Sequence, residues 1–186
     1  EEEELAGGNE DRISGSGDID DDASVFGFPV NLTTAKAGGS LNIGWGGDDG
    51  NRNVDGGFTG TQVAGDRSVV FATGSGSTSG LPQRLTADAV ANFLTVTGGK
   101  GAIAIGDLTS EGKALVFALS GDGTTLTARA GSVEGPLVFT VKLSDQSNGS
   151  FDFELKGVLD HPVQASGAAN EDVLSFKFTF TARDGD

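Results

Sequence analysis

The clearest pattern in the chain is the alternation of apolar and polar side chains towards its C-terminus. Leu137, Phe139, Val141 and Leu143 fall on one face of an extended segment, and Phe151, Phe153 and Leu155 fall on one face of the next. Leu174, Phe176, Phe178 and Phe180 then alternate with Ser175, Lys177 and Thr179. A period of two means β-strand, and three such strands predict an antiparallel sheet with one buried face. Upstream, residues 115–119 and 125–128 flank Ser120-Gly121-Asp122-Gly123, a hairpin signature.

The N-terminal half is less regular. Residues 25–31 read as a first strand in which Pro29 argues for an edge position, and residues 40–43 as a short apolar segment leading to Trp45. Residues 58–63 and 67–72 read as strands around a Gly65-Asp66 turn. Residues 73–80 hold only Gly, Ser and Thr, and by composition form a flexible loop. One short helix is predicted from Thr86 as N-cap, with Asp88 in the first turn and Val90, Phe93 and Leu94 at helical spacing. It would pack as a lid on the edge of a sandwich. The fold class is therefore all-β: an antiparallel β-sandwich with long Gly-rich loops and at most one or two short helices.

Composition sharpens this picture. With 186 residues the chain suffices for one sizeable core, preceded by an acidic linker or calcium-binding cap over residues 1–24. The sandwich would occupy residues 25–186, with an elaborated loop region at about 36–100. Thirty-one Gly and twelve Phe, with no Met or Tyr, suit short strands joined by many turns. No Cys occurs, so neither a disulfide framework nor a thiolate metal site is available. No apolar run approaches membrane-span length, so membrane insertion is not expected. Glu1-Glu2-Glu3-Glu4 is the opposite of a cationic signal sequence, and the chain reads as a module cut from a longer protein.

Charge changes the picture most. Twelve basic against twenty-seven acidic residues give a formal charge of −15, which repels nucleic acid and anionic membrane surfaces. Two carboxylates about 4 Å apart repel by roughly 4 kcal/mol at an effective dielectric of about 20, so a few crowded pairs rival the whole stability of a domain, about 5–15 kcal/mol. Cations offset that repulsion. An extracellular-type calcium site with a dissociation constant near about 10⁻⁴ M, in roughly millimolar calcium, gains about 1.4 kcal/mol by mass action, and four or five such sites about 6–7 kcal/mol. The metal would then be part of the fold.

One stretch has the pattern of a calcium loop. Residues 48–57 run Asp48-Asp49-Gly50-Asn51-Arg52-Asn53-Val54-Asp55-Gly56-Gly57, with side-chain oxygens at alternate positions Asp49, Asn51, Asn53 and Asp55. Calcium takes about six to eight oxygen ligands in flexible geometry, and this spacing lets successive side chains turn inward as the backbone curls. The match to an EF-hand loop is partial, because Val54 stands where that motif requires Gly and no bidentate Glu follows. The alternative is a solvated turn, since Asp, Asn and Gly are ordinary turn residues. Asp18, Asp20 and Asp22 offer a second carboxylate row on one side of an extended chain, either for an interdomain calcium or as a disordered acidic tail. Trp45, the sole tryptophan, sits between Gly44 and Gly46 and is either a core anchor or an exposed stacking face. Arg52 and Arg67 are candidate clamps for a ligand carboxylate, or members of structural ion pairs.

The C-terminal motifs have a family look. The run 122–128, the strand 138–143, Gly149-Ser150-Phe151-Asp152-Phe153-Glu154-Leu155, the Leu159-Asp160-His161-Pro162 corner and the stretch from Asn170-Glu171-Asp172 to Asp184-Gly185-Asp186 follow one another in order. Together they resemble the tandem β-sandwich repeats of giant repeats-in-toxin adhesins, over roughly residues 107–186. The resemblance implies an extracellular, calcium-bound sandwich in a fibre on the surface of a Gram-negative bacterium, exported by the type I pathway. By that analogy Glu171, Asp172, Asp184 and Asp186 hold calcium at a junction with a neighbouring domain of the same adhesin, and His161 is structural. Residues 36–100 are longer and more Gly-rich than a plain repeat needs, so the chain is similar to the ligand-binding modules of such adhesins, particularly the peptide-binding type.

Three functions compete. In a calcium-dependent recognition module, monomeric in isolation, calcium in the Asp48–Asp55 loop would keep a position for a peptide or carbohydrate on a target cell. The amides of Gly56 and Gly57 and the side chains of Arg52, Arg67 and Trp45 would orient that ligand. In a spacer, every calcium would be fully coordinated by protein and would only stiffen the fibre. A glycosidase with paired carboxylates is the weakest reading, because the acidic pairs lie in Gly-rich turns that suit cations and no nucleophile motif such as G-x-S-x-G stands in a strand-to-helix setting. The expectation is a non-enzymatic protein.

Overall fold

The computed structural model describes residues 34–45, 67–73, 82–98, 101–160 and 174–183. In chain order their strands are β1 (Ala35–Ser40), β2 (Ser68–Phe71), β3 (Gln83–Leu85), β4 (Leu94–Gly98), β5 (Gly101–Ile103), β6 (Thr109–Ser110), β7 (Lys113–Leu119), β8 (Thr125–Ala130), β9 (Leu137–Ser144), β10 (Ser150–Leu155), β11 (Ser175–Phe178) and β12 (Phe180–Arg183). One helix, α1 (Ala87–Ala91), and a 3₁₀ turn at Ile105–Asp107 complete the set among the described residues. The predicted strands 25–31 and 58–63 and most of the loop 73–80 lie outside the described residues.

The fold is an antiparallel all-β sandwich. Its larger layer has the strand order β1-β10-β9-β8-β7-β3, with β6 paired to β7. The period-two segments form its middle: on β9, Phe139, Val141 and Leu143 are buried while Lys142 is exposed, and β8 buries Leu126, Ala128 and Ala130. The other layer is β11-β4-β5 continued by β12-β2. Thr179 joins the two parts, its N–H donating to the Phe93 carbonyl at 2.8 Å and its carbonyl accepting from Ala72 N–H at 3.1 Å.

Phenylalanine rings lace the layers together. Phe176 lies 5.5 Å from both Phe139 and Phe153, and Phe178 lies 5.3 Å from Phe151 and 5.9 Å from Phe71. Edge-on and tilted aromatic pairs at such separations add about 0.5–1.5 kcal/mol each beyond the area they bury. In a chain without Cys, this apolar interface joins the two layers together with Phe71 N–H, which donates to the Gly123 carbonyl at 3.0 Å.

Three sequence expectations are corrected. The last alternating segment does not extend the sheet of β9 and β10; it forms β11 and β12 in the facing layer, and its alternation serves the same core from the opposite side. The helix is confined to Ala87–Ala91, with Thr86 Oγ1 accepting from Ala89 N–H at 3.2 Å as the cap signal required. Phe93 and Leu94 lie beyond it because the Thr95-Val96-Thr97 run favours a strand, and β4 alternates buried and exposed residues accordingly. Within residues 36–100, β2 and β4 supply the inner side of the second layer, with Val69, Phe71, Leu94 and Val96 buried. Finally, residues 35–40, which the sequence does not mark as a strand, form β1, and the apolar 40–43 segment begins at its end. β1 pairs with β10, where a Cβ on Gly39 would stand 3.0 Å from the Phe151 ring, so the aromatic ring lies across the glycine.

Two substitutions test this packing. Phe139→Ala removes the ring that touches Phe117, Phe153 and Phe176 and is expected to cost about 3–5 kcal/mol in urea unfolding. Gly149→Ala places a Cβ at a φ of +74° and 2.5 Å from Ile43 Cδ1, and is expected to cost about 2 kcal/mol or more in the same experiment.

Candidate functional site

Of the residues singled out for ligand or calcium, the structure describes Trp45 and Arg67. Asp18, Asp20, Asp22, Asp48, Asp49, Asn51, Asn53, Asp55, Glu171, Asp172, Asp184 and Asp186, together with Arg52, Gly56, Gly57 and His161, lie outside the described residues. Among the described residues no group of three or more His, Cys, Asp or Glu is arranged to hold a metal ion, and no helix is long and apolar enough to cross a membrane.

Trp45 and Arg67 meet. The backbone beyond β1 stays tied to the β9–β10 turn, because Leu41 N–H donates to the Gly149 carbonyl at 2.9 Å and Ile43 N–H to the Asn148 carbonyl at 2.8 Å. That register delivers the indole to the same turn, where Nε1–H donates to the Ser147 carbonyl at 2.6 Å. Arg67 enters from the start of β2, and its guanidinium carbon stands 5.0 Å from the indole centroid. Both side chains are buried, at 7% exposure for Trp45 and 5% for Arg67. Burial strengthens such a cation–π contact, to about 2 kcal/mol when the pair is desolvated.

This arrangement differs from the expectation of a ligand-facing clamp. The indole is the core anchor of the two alternatives: its N–H is committed to a backbone carbonyl and Arg67 lies over the ring, so a stacking face is not on offer there. The reason is topological, since the β1 extension and the start of β2 converge on the β9–β10 turn. The sequence does not mark Ser147 as an acceptor, because a backbone carbonyl leaves no signature in side-chain identity.

Three of the described acidic groups, Asp122, Glu154 and Asp160, serve the scaffold. Asp122 caps the β7–β8 turn, accepting from Ser120 Oγ and from Thr124 N–H at 3.0 Å, and these hydrogen bonds hold its carboxyl below the usual carboxylate range. Asp160 accepts from Glu111 N–H at 3.0 Å and Gly112 N–H at 2.7 Å, fixing the β6–β7 turn in which both residues have positive φ. With Leu159 buried beside it, the described half of the Leu-Asp-His-Pro corner is architectural. Glu154 faces Lys36 across the strand pair at 2.8 Å and Lys156 at 3.2 Å, which lowers its pKa and raises that of Lys36.

Charge is divided unevenly along the chain. The described residues hold nine Asp and Glu against nine Lys and Arg, so eighteen of the twenty-seven acidic and three of the twelve basic residues belong to the remaining segments. The described residues are formally neutral, and the surplus of −15 is carried by the remaining ones.

Comparison with protein-family models, curated proteins and solved structures gives no match.

The Asp122 cap has a defined pH signature. Because its folded-state pKa is depressed, its contribution is full above the unfolded carboxylate range, near about pH 4, and is lost as pH falls through the folded value. Asp122→Asn is therefore expected to lower the urea midpoint at neutral pH, with the gap to the unaltered protein narrowing as pH falls below the unfolded carboxylate range.

Proposed function

We infer that this chain is a calcium-dependent binding module of a bacterial cell-surface adhesin of the repeats-in-toxin kind, recognising a peptide or glycan on another cell or surface. The observation that carries the reading is the sequence pattern itself: side-chain oxygens alternate through residues 48–55 in a chain whose net charge is −15. Asp49, Asn51, Asn53 and Asp55, with Asp48 adjoining, would hold the ion; the donor set is oxygen-only and suits a hard cation. Bound calcium would supply a positive centre for a ligand carboxylate or a pair of hydroxyls. Arg52 and the Gly56 and Gly57 amides would orient that ligand. Asp18, Asp20 and Asp22 at one end, and Glu171, Asp172, Asp184 and Asp186 at the other, would share calcium with neighbouring domains of a surface fibre outside a Gram-negative cell. The activity is binding, not catalysis.

A spacer is the rival reading. One observation favours it: Trp45 and Arg67, two of the expected ligand contacts, are buried against each other.

An array of short peptides and glycans, probed in millimolar calcium and again with excess EDTA, separates the two. The recognition reading expects a subset of features bound in calcium and lost in EDTA. Binding to no feature in calcium would leave the spacer.

A further inference from the structure

Among the described residues, the second layer ends on an unpaired edge. β11 and β12 are one extended run, and both of its partners lie on the same side: β4 alongside Ser175–Phe178 and β2 alongside Phe180–Arg183. Between them Thr179 turns its N–H and its carbonyl to that side, towards Phe93 and Ala72. Backbone polar groups alternate in direction along an antiparallel strand, so those of Phe176, Phe178, Phe180 and Ala182 point the other way, where no described strand receives them.

That edge faces β1. On the paired side β2 packs against β9, while Phe176 and Phe178 lie over Phe153 and Phe151 of β10, whose next neighbour is β1. Ala37 and Gly39 stand directly across from Phe153 and Phe151 and so belong to the inner face, yet both are exposed. Phe176, Phe178 and Phe180 are only half-buried. Among the described residues the second layer is one strand short of covering the first.

Charge says what fits there. In a chain of net charge −15, strands β2, β4, β5, β11 and β12 carry Lys177 and Arg183 and no Asp or Glu. Both cations are exposed, at positions that alternate with the phenylalanines. We propose that the Phe176–Ala182 edge receives an extended acidic peptide from another molecule as an added strand. Its main chain bonds to the edge, its apolar side chains cover Ala37 and the phenylalanine rings, and its alternate carboxylates meet Lys177 and Arg183. Two copies of this chain repel each other too strongly to be the preferred pair. The surface needs no ion and is independent of the calcium reading of residues 48–55.

Amide hydrogen exchange of the complete, isotope-labelled chain is followed by NMR in millimolar calcium, alone and with a short capped peptide alternating valine and glutamate. The amides of Phe176, Phe178, Phe180 and Ala182 are expected to exchange readily in the chain alone and about tenfold more slowly with the peptide. A valine–lysine peptide, or the valine–glutamate peptide with alternate amides N-methylated, is expected to leave them unprotected. Lys177→Glu combined with Arg183→Glu is expected to weaken binding about tenfold. Ala182→Pro removes one edge N–H while leaving the bonds to β2 in place, and is expected to weaken binding as well. Should that variant fail to fold, the N-methylated peptide decides the point. Edge amides already protected in the chain alone would overturn the proposal, with a segment of the same chain as the occupant, or a second copy if protection rises with protein concentration. Absence of protection by the valine–glutamate peptide, or a response confined to residues away from this edge, would overturn it equally.

Discussion

Repulsion between like charges constrains everything else in this molecule. A chain with twenty-seven carboxylates and twelve cations cannot spread them evenly over a two-layer sandwich without loading each face with unbalanced acid. Instead the described scaffold balances nine against nine. Each acidic group described in detail has local work: Asp122 and Asp160 cap turns, and Glu154 pairs with Lys36 and Lys156 across and along the strands. The described scaffold thus stands on apolar packing.

That packing is aromatic and runs between layers. Phe139 at the centre of the larger sheet meets Phe117, Phe153 and Phe176, while Phe71, Phe93, Phe151 and Phe178 form a second chain of contacts towards the end where Trp45 and Arg67 lie. Without disulfides, it is the register of these rings that positions the start of β2 against the extension of β1. The aromatic core and the Trp45–Arg67 contact thus belong to one mechanical unit.

How much of this was legible in the sequence depended on whether the signal was local. β9 and β10 announce themselves by strict alternation, the β7–β8 hairpin by its Ser-Gly-Asp-Gly turn, and α1 by Thr86, whose hydroxyl caps Ala89. β4 and β5 were not assigned, because Val90, Phe93 and Leu94 also fit a helical stripe and a short apolar run does not separate the two periods. β1 is not legible because Gly38 and Gly39 weaken the strand signal, while the strand that holds them, β10, lies more than a hundred residues away. The meeting of Trp45 with Arg67 and with the Ser147 carbonyl is wholly tertiary. The two residues were singled out separately for their chemistry, but nothing local says that they face each other. The candidate calcium ligands were legible as a pattern of oxygens, and they lie in segments outside the described residues.

The central claim is that the surplus acid is a store of calcium ligands whose occupation is linked to folding. Thermal unfolding of the complete chain in millimolar calcium, set beside the same protein in excess EDTA, tests it most directly. The account predicts a clearly higher midpoint in calcium, together with calcium retained by the folded protein after exhaustive dialysis. Superimposable curves, with no metal retained, would contradict it.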